Sequence, residues 1–596
     1  MKKAAKKLIS SLGMVSSPKW FLYCFLVGII SGFGAIIFFV LLREATHFFL
    51  NYLAGYYPSA PGGEPVFIPS GIETRRWMLL IVPAIGGLIS GLIVYTLAPE
   101  AEGHGTDALV DAFHQHRGVI RKRVPIIKTI ASAITIGSGG SAGREGPIAQ
   151  IGAGFASFFA SILKLNDRER RILVLAGAGA GIGAIFRAPL GGAFFAAEVL
   201  YNEAEFEYEA LIPCFLSSIV GYSVYCTFSG YGWGAIFHAP VFTFHNPWQL
   251  IFYGLLGLLM ALFGYIYVKV FYQIRDRIFR PLKIPNIFKP AIGGLALGII
   301  ALFCPQVLGM GYGMIQQAID GSLTLQFLFL VGLLKIVATS FTISSGGSGG
   351  VFAPSLVIGG LLGGAFGKLF SIAFPGIIDQ PGAFVLVGMA SFFAGAAKVP
   401  IASMIMVSEM TVGYSLLVPM ILASSFAYLF SRKKTSIYEK QVPTRVDSPA
   451  HMGDFIVDVL EGIRVEDVLK KEKKVVLIPE STKLRDIGDI ISNTTNSYFP
   501  VVNEKNEMIG IISMDDLRSL FFAKDMADLL IAKDFATKEV ITLNLEESLS
   551  SALKKFTMKN IDELPVVDSK KPNKVIGILS RRDAILAYNN AVLKEY

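Results

Sequence analysis

The sequence predicts an α-helical polytopic membrane protein built from two related halves of broken and tilted helices, followed by a smaller soluble α+β domain. Three observations carry this. First, the 596 residues are 53% hydrophobic and only 17% charged, too apolar for a soluble globular chain. Second, Gly139 to Pro147 (GGSAGREGP) recurs 207 positions later as Gly346 to Pro354 (GGSGGVFAP). Glycine-rich breaks at corresponding places in two halves of a hydrophobic chain point to a binding site made from interrupted helices near the bilayer midplane. Third, the composition turns polar after Phe430, and the polar tail carries a repeat of its own.

From the amino terminus, MKKAAKKLISSLGM is basic and opens onto a long span beginning near Trp20, without a short apolar segment and small-residue cleavage site. It reads as a cytoplasmic arm. Phe21 to Leu42 and Met78 to Pro99 each run 22 positions without a charge, enough to cross a hydrocarbon core of roughly 30 Å. Uncharged stretches of this kind recur up to about Phe430. Ile148 to Lys164 and Gly192 to Tyr201 are too short or too interrupted by glycine and proline to be plain spans, and read as tilted or partial helices. The formal charge of +9 fits positive-inside topology and anionic headgroups, since no basic patch interleaved with aromatic residues suggests a nucleic-acid partner. Cys24, Cys214, Cys226 and Cys304 lie in apolar surroundings without a CxxC pair and give no redox or zinc signal. No metal-ligand cluster, Ser/His/Asp set or phosphate-binding loop argues for an enzyme.

A further pairing supports the two halves. Pro189 to Glu198 and Pro400 to Glu409 are both nine residues apart, with an offset of 211 between them. Proline suits a first helical position, because its missing N–H would lack a partner there anyway. Each acid then falls about two and a half turns into an apolar helix. Carboxylates at such depth are expensive, so Glu198 and Glu409 read as buried groups bonded to backbone N–H groups or a cation. The glycine-rich segments suggest a different chemistry. A helix amino terminus offers unpaired N–H groups and a partial positive charge, and glycines let the backbone approach an anion closely. An anion held by dipoles and hydroxyls can also leave, whereas a buried Lys or Arg would hold it too tightly for permeation.

In the tail, YFPVV at Tyr498 to Val502 and MIGIISMDDL at Met508 to Leu517 match ELPVV at Glu563 to Val567 and VIGILSRRDA at Val575 to Ala584. Gly510, Ser513 and Asp516 map onto Gly577, Ser580 and Asp583 at a constant offset of 67. Each unit reads as strand, turn, strand, then a helix opening at the serine. The serine and the acid three residues on have the spacing of a capping arrangement at a helix start. This tail resembles a tandem of cystathionine-β-synthase (CBS) domains, and the resemblance implies that Asp516 and Asp583 contact the ribose of an adenine nucleotide, the alternative being capping alone.

The membrane part resembles the CLC family of chloride channels and chloride/proton antiporters over essentially its whole length. GSGGSAGREGP at Gly137 to Pro147, GGVFAP at Gly349 to Pro354, the two proline-to-glutamate helices and the appended CBS pair carry the likeness. It implies two inverted-topology halves per subunit, roughly 20–230 and 245–440 within a transport domain at 1–440, and a homodimer with one pore in each subunit. It also implies a multi-pass plasma-membrane protein with a cytoplasmic CBS pair at 441–596, its units at about 462–525 and 530–592. By position, Glu145 matches the gating glutamate whose carboxylate competes with permeant anions. Protonation would remove both its charge and its claim on the N–H groups, which gives a gate and a proton carrier. Val351 and Phe352 match backbone donors at the central anion site, Gly146 helps line the outer one, and Tyr438 matches the tyrosine whose hydroxyl faces the central anion, an interfacial tyrosine being the alternative.

Two positions depart from the family pattern. Where it commonly reads GSGIP, this chain reads Gly103-His-Gly-Thr-Asp107, so His104 replaces the anion-binding serine. A neutral imidazole can still donate one hydrogen bond, and a charged one would hold the anion more tightly, making binding pH-dependent; the alternatives are that Thr106 supplies the hydroxyl or that His104 is a spectator in the vestibule. Val199 stands where many family antiporters carry a second, proton-accepting glutamate. Coupling would then use another route, such as Glu203, Glu205, His104 or water. The expected function is transmembrane chloride transport with a glutamate gate, chloride/proton antiport leading. A passive gated channel is the alternative, and selectivity for another anion such as fluoride is a third reading. The expected partners are chloride, protons, the lipid bilayer and a second copy of the chain, with no metal and no required cofactor.

Overall fold

Apolar runs broken by glycine and proline fold into helices of very unequal length, and that inequality places chain breaks inside the protein. The computed structural model describes residues 18–66, 73–431, 435–451, 460–469, 475–492, 494, 496–520, 527–558, 561–569 and 571–595. The basic amino-terminal arm and residues 432–434 lie outside the described residues. The chain divides into two units, Met1–Ala450 and His451–Tyr596.

Among the described residues of the first unit, one order of eight helices occurs twice. The first series is α1 (Pro18–Thr46), α2 (Met78–Leu97), α3 (Thr106–His114), α4 (Val124–Gly137), α5 (Glu145–Ile162), α6 (Asp167–Phe186), α7 (Pro189–Glu198) and α8 (Tyr208–Phe228). The second is α9 (Gln249–Ile274), α10 (Lys289–Phe303), α11 (Tyr312–Ile319), α12 (Leu325–Ser344), α13 (Phe352–Ala373), α14 (Ala383–Ala397), α15 (Pro400–Thr411) and α16 (Leu417–Phe430). Corresponding helices share local chemistry. Pro189 and Pro400 open α7 and α15, and the residues that close α6 and α14, Arg187 and Lys398, are both left-handed at φ 51° and 64°. Both α1 and α9 run on into a π-helical turn, at His47–Leu53 and Arg275–Phe279.

Packing repeats as well. In the first half α6 lies on α5 and α8; in the second α14 lies on α13 and α16. The halves join through α2 against α10 and α7 against α15. At the first junction glycine is obligatory, since a Cβ on Gly87 would sit 2.3 Å from the Pro290 carbonyl oxygen and one on Gly294 2.2 Å from that of Pro83. Side-chain contacts across the halves are reciprocal. The Ser132 hydroxyl meets Ser348 at 2.9 Å, and their counterparts Thr339 and Ser141 meet at 2.9 Å. Reciprocity of this kind is the mark of a two-fold relation.

Among the described residues, seven helices are long and apolar enough to cross a membrane, by length and composition; α1, α2, α8, α9, α10, α12 and α13 supply them. Their outer faces expose Phe21, Phe25, Ile251 and Leu262, while α14 is buried along all its length and needs no lipid-facing side. The partial helix expected at Gly192 to Tyr201 is α7, ten residues long. The one expected at Ile148 to Lys164 starts three residues before the apolar run and ends at Ile162. It begins at Glu145 and spans 18 residues, because its first turn is sheltered in the protein interior, where a charged residue can be accommodated.

The second unit contains the repeated units seen in the sequence. The first has β1 (Ile478–Pro479), α17 (Leu484–Ile491), β2 (Tyr498–Val502), β3 (Met508–Ser513) and α18 (Met514–Leu520). The second has β4 (Leu543–Asn544), α19 (Leu549–Met558), β5 (Glu563–Asp568), β6 (Lys571–Ser580) and α20 (Arg581–Glu595). In each, the first strand is parallel to the second and the second antiparallel to the third, with Val501 opposite Gly510 and Val566 opposite Gly577. Each sheet buries its own core, Ile487, Phe499 and Ile512 in one and Phe556, Leu564 and Leu579 in the other.

Candidate functional site

The two glycine-rich segments meet. Gly143 and Gly350 exchange backbone hydrogen bonds at 2.7 and 2.6 Å, so that α5 and α13 begin beside one another. Further backbone bonds hold the flanking loops: the Gly349 N–H donates to the Gly103 carbonyl at 3.1 Å, and the Gly309 N–H to that of Gly139 at 2.9 Å. Two fully buried lysines tie the same loops down. Lys128 donates to the carbonyls of Ala101 and Gly103 at 3.0 and 2.7 Å, and its counterpart Lys335 to those of Val307 and Gly309 at 2.8 and 2.7 Å. Sequence reasoning passed over both. A lone lysine inside an otherwise apolar helix was the available signal.

Glu145, 2% exposed, is the first residue of α5. Its Oε1 accepts a hydrogen bond from the Phe352 N–H at the start of α13, with the Ala353 N–H alongside, while Oε2 has no partner among the described residues. The carboxylate lies between two glycines that leave it room. A Cβ on Gly143 would come within 2.2 Å of Oε2, and one on Gly350 within 2.3 Å of Oε1. Gly146 packs under the 103–105 loop so closely that a Cβ would reach 1.8 Å from the His104 carbonyl oxygen. The Phe352 ring packs against Phe186 and Phe393, one from each half, at centroid distances of 5.4 and 4.5 Å.

His104 and Tyr438 are brought together, their rings 5.4 Å apart. Tyr438 is 2% exposed. Its hydroxyl has Thr106 beside it but no hydrogen bond within 3.5 Å. The His104 Nε2 lies 3.2 Å from an Asp107 carboxylate oxygen, leaving buried Nδ1 without a partner. Asp107 also accepts from the N–H groups of Glu439 and Lys440 at 3.2 and 3.1 Å, which anchors the segment that carries Tyr438. On this side a cavity of about 520 Å³ is lined by His104, Asp107, Arg275, Glu439 and Lys440. Glu145 Oε2, His104 Nδ1 and the Tyr438 hydroxyl are thus all buried polar atoms with no hydrogen-bond partner among the described residues. A buried polar atom without a protein partner costs free energy unless something else satisfies it.

Glu198 is a buried carboxylate and Glu409 a partly buried one, both are bonded to backbone, and they are so reciprocally. Glu198 accepts from the N–H groups of Ile401 and Ala402 at 3.1 and 2.7 Å, capping α15; Glu409 accepts from Leu190 and Gly191 at 3.2 and 2.7 Å, capping α7. Val199 is fully buried, and its carbonyl accepts from Gln441 at 3.0 Å. In the second unit both serine–aspartate pairs form capping arrangements, Ser513 with Asp516 and Ser580 with Asp583, each hydroxyl 2.7 Å from its carboxylate.

Fold and site together define a polytopic membrane protein of two related halves whose glycine-rich helix starts meet, with a CBS pair appended. Comparison with known proteins agrees. Residues 86–432 match the family model for voltage gated chloride channels, and residues 465–523 and 532–590 each match the CBS domain. The chain is 33% identical to an H(+)/Cl(-) exchange transporter ClcA of Cronobacter sakazakii, over 60% of this chain and 77% of that protein. It is 30% identical to a putative chloride channel protein ClcB-like of Ralstonia nicotianae, covering 62% of this chain and 86% of that one. Chloride channel protein CLC-f of Arabidopsis thaliana is 28% identical over 85% of this chain and 70% of its own. Among solved structures, a CLC-type fluoride/proton antiporter superposes with a TM-score of 0.61 at 22% identity, over 72% of this chain and 100% of that one. A eukaryotic CLC transporter gives 0.57 at 19% identity, over 95% and 99%. The chain belongs to the voltage gated chloride channel family, a family of CLC-type channels and transporters.

Proposed function

We propose that this protein is a chloride/proton antiporter in which Glu145 is both gate and proton carrier. The observation that supports the reading is the Glu145 carboxylate seated on the Phe352 N–H, between the starts of α5 and α13. A carboxylate there is a charge mimic of the permeant anion, and the same N–H dipoles serve either. When protonated it no longer competes, so chloride takes the N–H groups; loss of the proton to solution restores the carboxylate, which displaces the chloride, so the two ions are exchanged. Val351 and Phe352 donate from the backbone, Gly146 lines the outer side, and His104 with Tyr438 faces the anion from within. Held by dipoles, the anion is selected weakly, so bromide and nitrate pass with chloride. His104, oriented by Asp107 at the cavity edge, offers the proton a route that does not need an acid at position 199.

A second reading, a passive channel gated by Glu145, is favoured by the buried and apolar Val199. Purified protein in liposomes separates the two. An imposed chloride gradient is expected to drive proton movement, and Glu145→Gln to abolish that movement while chloride still flows. Robust chloride efflux without proton movement would instead establish the channel. Fluoride outcompeting chloride in the same assay would move the substrate to fluoride. We further assign the chain to the plasma membrane as a homodimer with one pathway per subunit, its CBS pair cytoplasmic and binding an adenine nucleotide beside Asp516 and Asp583.

A further inference from the structure

Arg144 immediately precedes the gate residue and is completely buried. Its guanidinium is boxed by the rings of Phe39, Phe186 and Tyr312 at 5.2 to 5.4 Å. Nη2 donates to Glu64 Oε1 at 2.6 Å, whereas Nε and Nη1 have no hydrogen-bond partner among the described residues. A buried cation with two idle donor nitrogens is an anion attractor, and next to a permeation site it would hold chloride too tightly for release. Glu64 answers that problem. Its segment is strapped across the site from three directions: Arg187 donates to the Gly63 carbonyl at 2.7 Å, the Gly63 N–H to that of Ile236 at 2.9 Å, and the Gly62 N–H to Gln316 at 3.2 Å. Glu64 and Tyr312 also line a cavity of about 90 Å³, behind which Arg144 is sealed.

We propose that Glu64 is a second carboxylate latch, a specificity-determining residue that occupies the Arg144 guanidinium in competition with the arriving anion. Glu145 competes for backbone N–H groups at the centre; Glu64 competes for a full positive charge one residue away. The pair keeps anion affinity low enough for turnover, and release of Glu64 exposes a guanidinium edge beside the gate. This rests on the anion-transport reading above.

The test uses the full-length protein in detergent, with chloride titrated by calorimetry, and the same samples in liposomes for chloride efflux. Glu64→Gln keeps the shape and removes the competing charge. It is expected to tighten chloride binding about three- to tenfold, with half-saturation of flux moving by the same factor. Glu64→Asp, which retracts the charge by one methylene, is expected to shift binding the same way by less, and carries the test if the glutamine variant does not fold. Chloride affinity unchanged in both, with wild type binding and transporting chloride, overturns the latch. A loss of maximal flux at constant affinity also overturns it, since that is what a merely structural ion pair would produce. Wild type that transports no chloride counts against the transport reading and leaves the latch to be judged by the binding arm, where tightening in Glu64→Gln supports it and an unchanged affinity does not.

Discussion

At the scale of single residues, the gate proposed at Glu145 depends on the absence of bulk as much as on charge. The space beside the Glu145 carboxylate exists because positions 143 and 350 lack a Cβ. Gly350→Ala puts a methyl where Oε1 now lies, and is expected to drive the carboxylate off the Phe352 N–H. Chloride flux in this variant should rise and lose its pH dependence. In wild type the sign is fixed by chemistry: lowering the pH protonates Glu145, frees the N–H groups and raises flux, as stopped-flow efflux across a pH series would read. Glu145, Val351 and Phe352 could be picked out because a local motif marks them. The partner of Arg144 could not, since Glu64 is 80 positions away and no spacing rule relates an acid in a loop to a helix start.

Among the helices, the reciprocal caps matter most. Two N–H groups at the start of α15 depend on Glu198, and two at the start of α7 depend on Glu409. Glu198→Ala leaves its pair buried without acceptors, and is expected to cost about 1–3 kcal/mol. Glu409→Ala should cost less, because Glu409 is only partly buried and water can replace it. Thermal unfolding of the two variants in detergent checks the order. The nine-residue spacing from proline to acid and its repetition were visible in the chain, as was the need for backbone partners. Which backbone was not visible. Each acid caps the corresponding helix of the other half, and that exchange is a property of the two-fold relation between halves, which periodicity alone does not reveal. The same holds for Lys128 and Lys335, whose acceptors lie on loops more than 20 positions away.

Across the whole molecule, two units of unlike composition imply a division of labour that ligand binding can probe. Adenine nucleotide added to the full-length protein is expected to raise its melting temperature, and the combined Asp516→Ala and Asp583→Ala variant to lose that shift. Because both carboxylates already cap helices, a loss of basal stability without nucleotide should accompany it; a nucleotide shift that survives in the variant would leave capping as their role. The division into apolar and polar parts was plain from composition, and the strand–turn–strand–helix order of each CBS unit from its internal repeat. The crossed connections of the membrane unit were not, and they bear on synthesis. Glu198 is bonded to a residue 203 positions later. At a translation rate of about 5–20 residues per second, that carboxylate waits roughly 10–40 s for the N–H groups that will cap it. Neither half can therefore be completed before its twin is made, so the nascent first half enters the bilayer as an unfinished structure that depends on the insertion machinery until the second arrives.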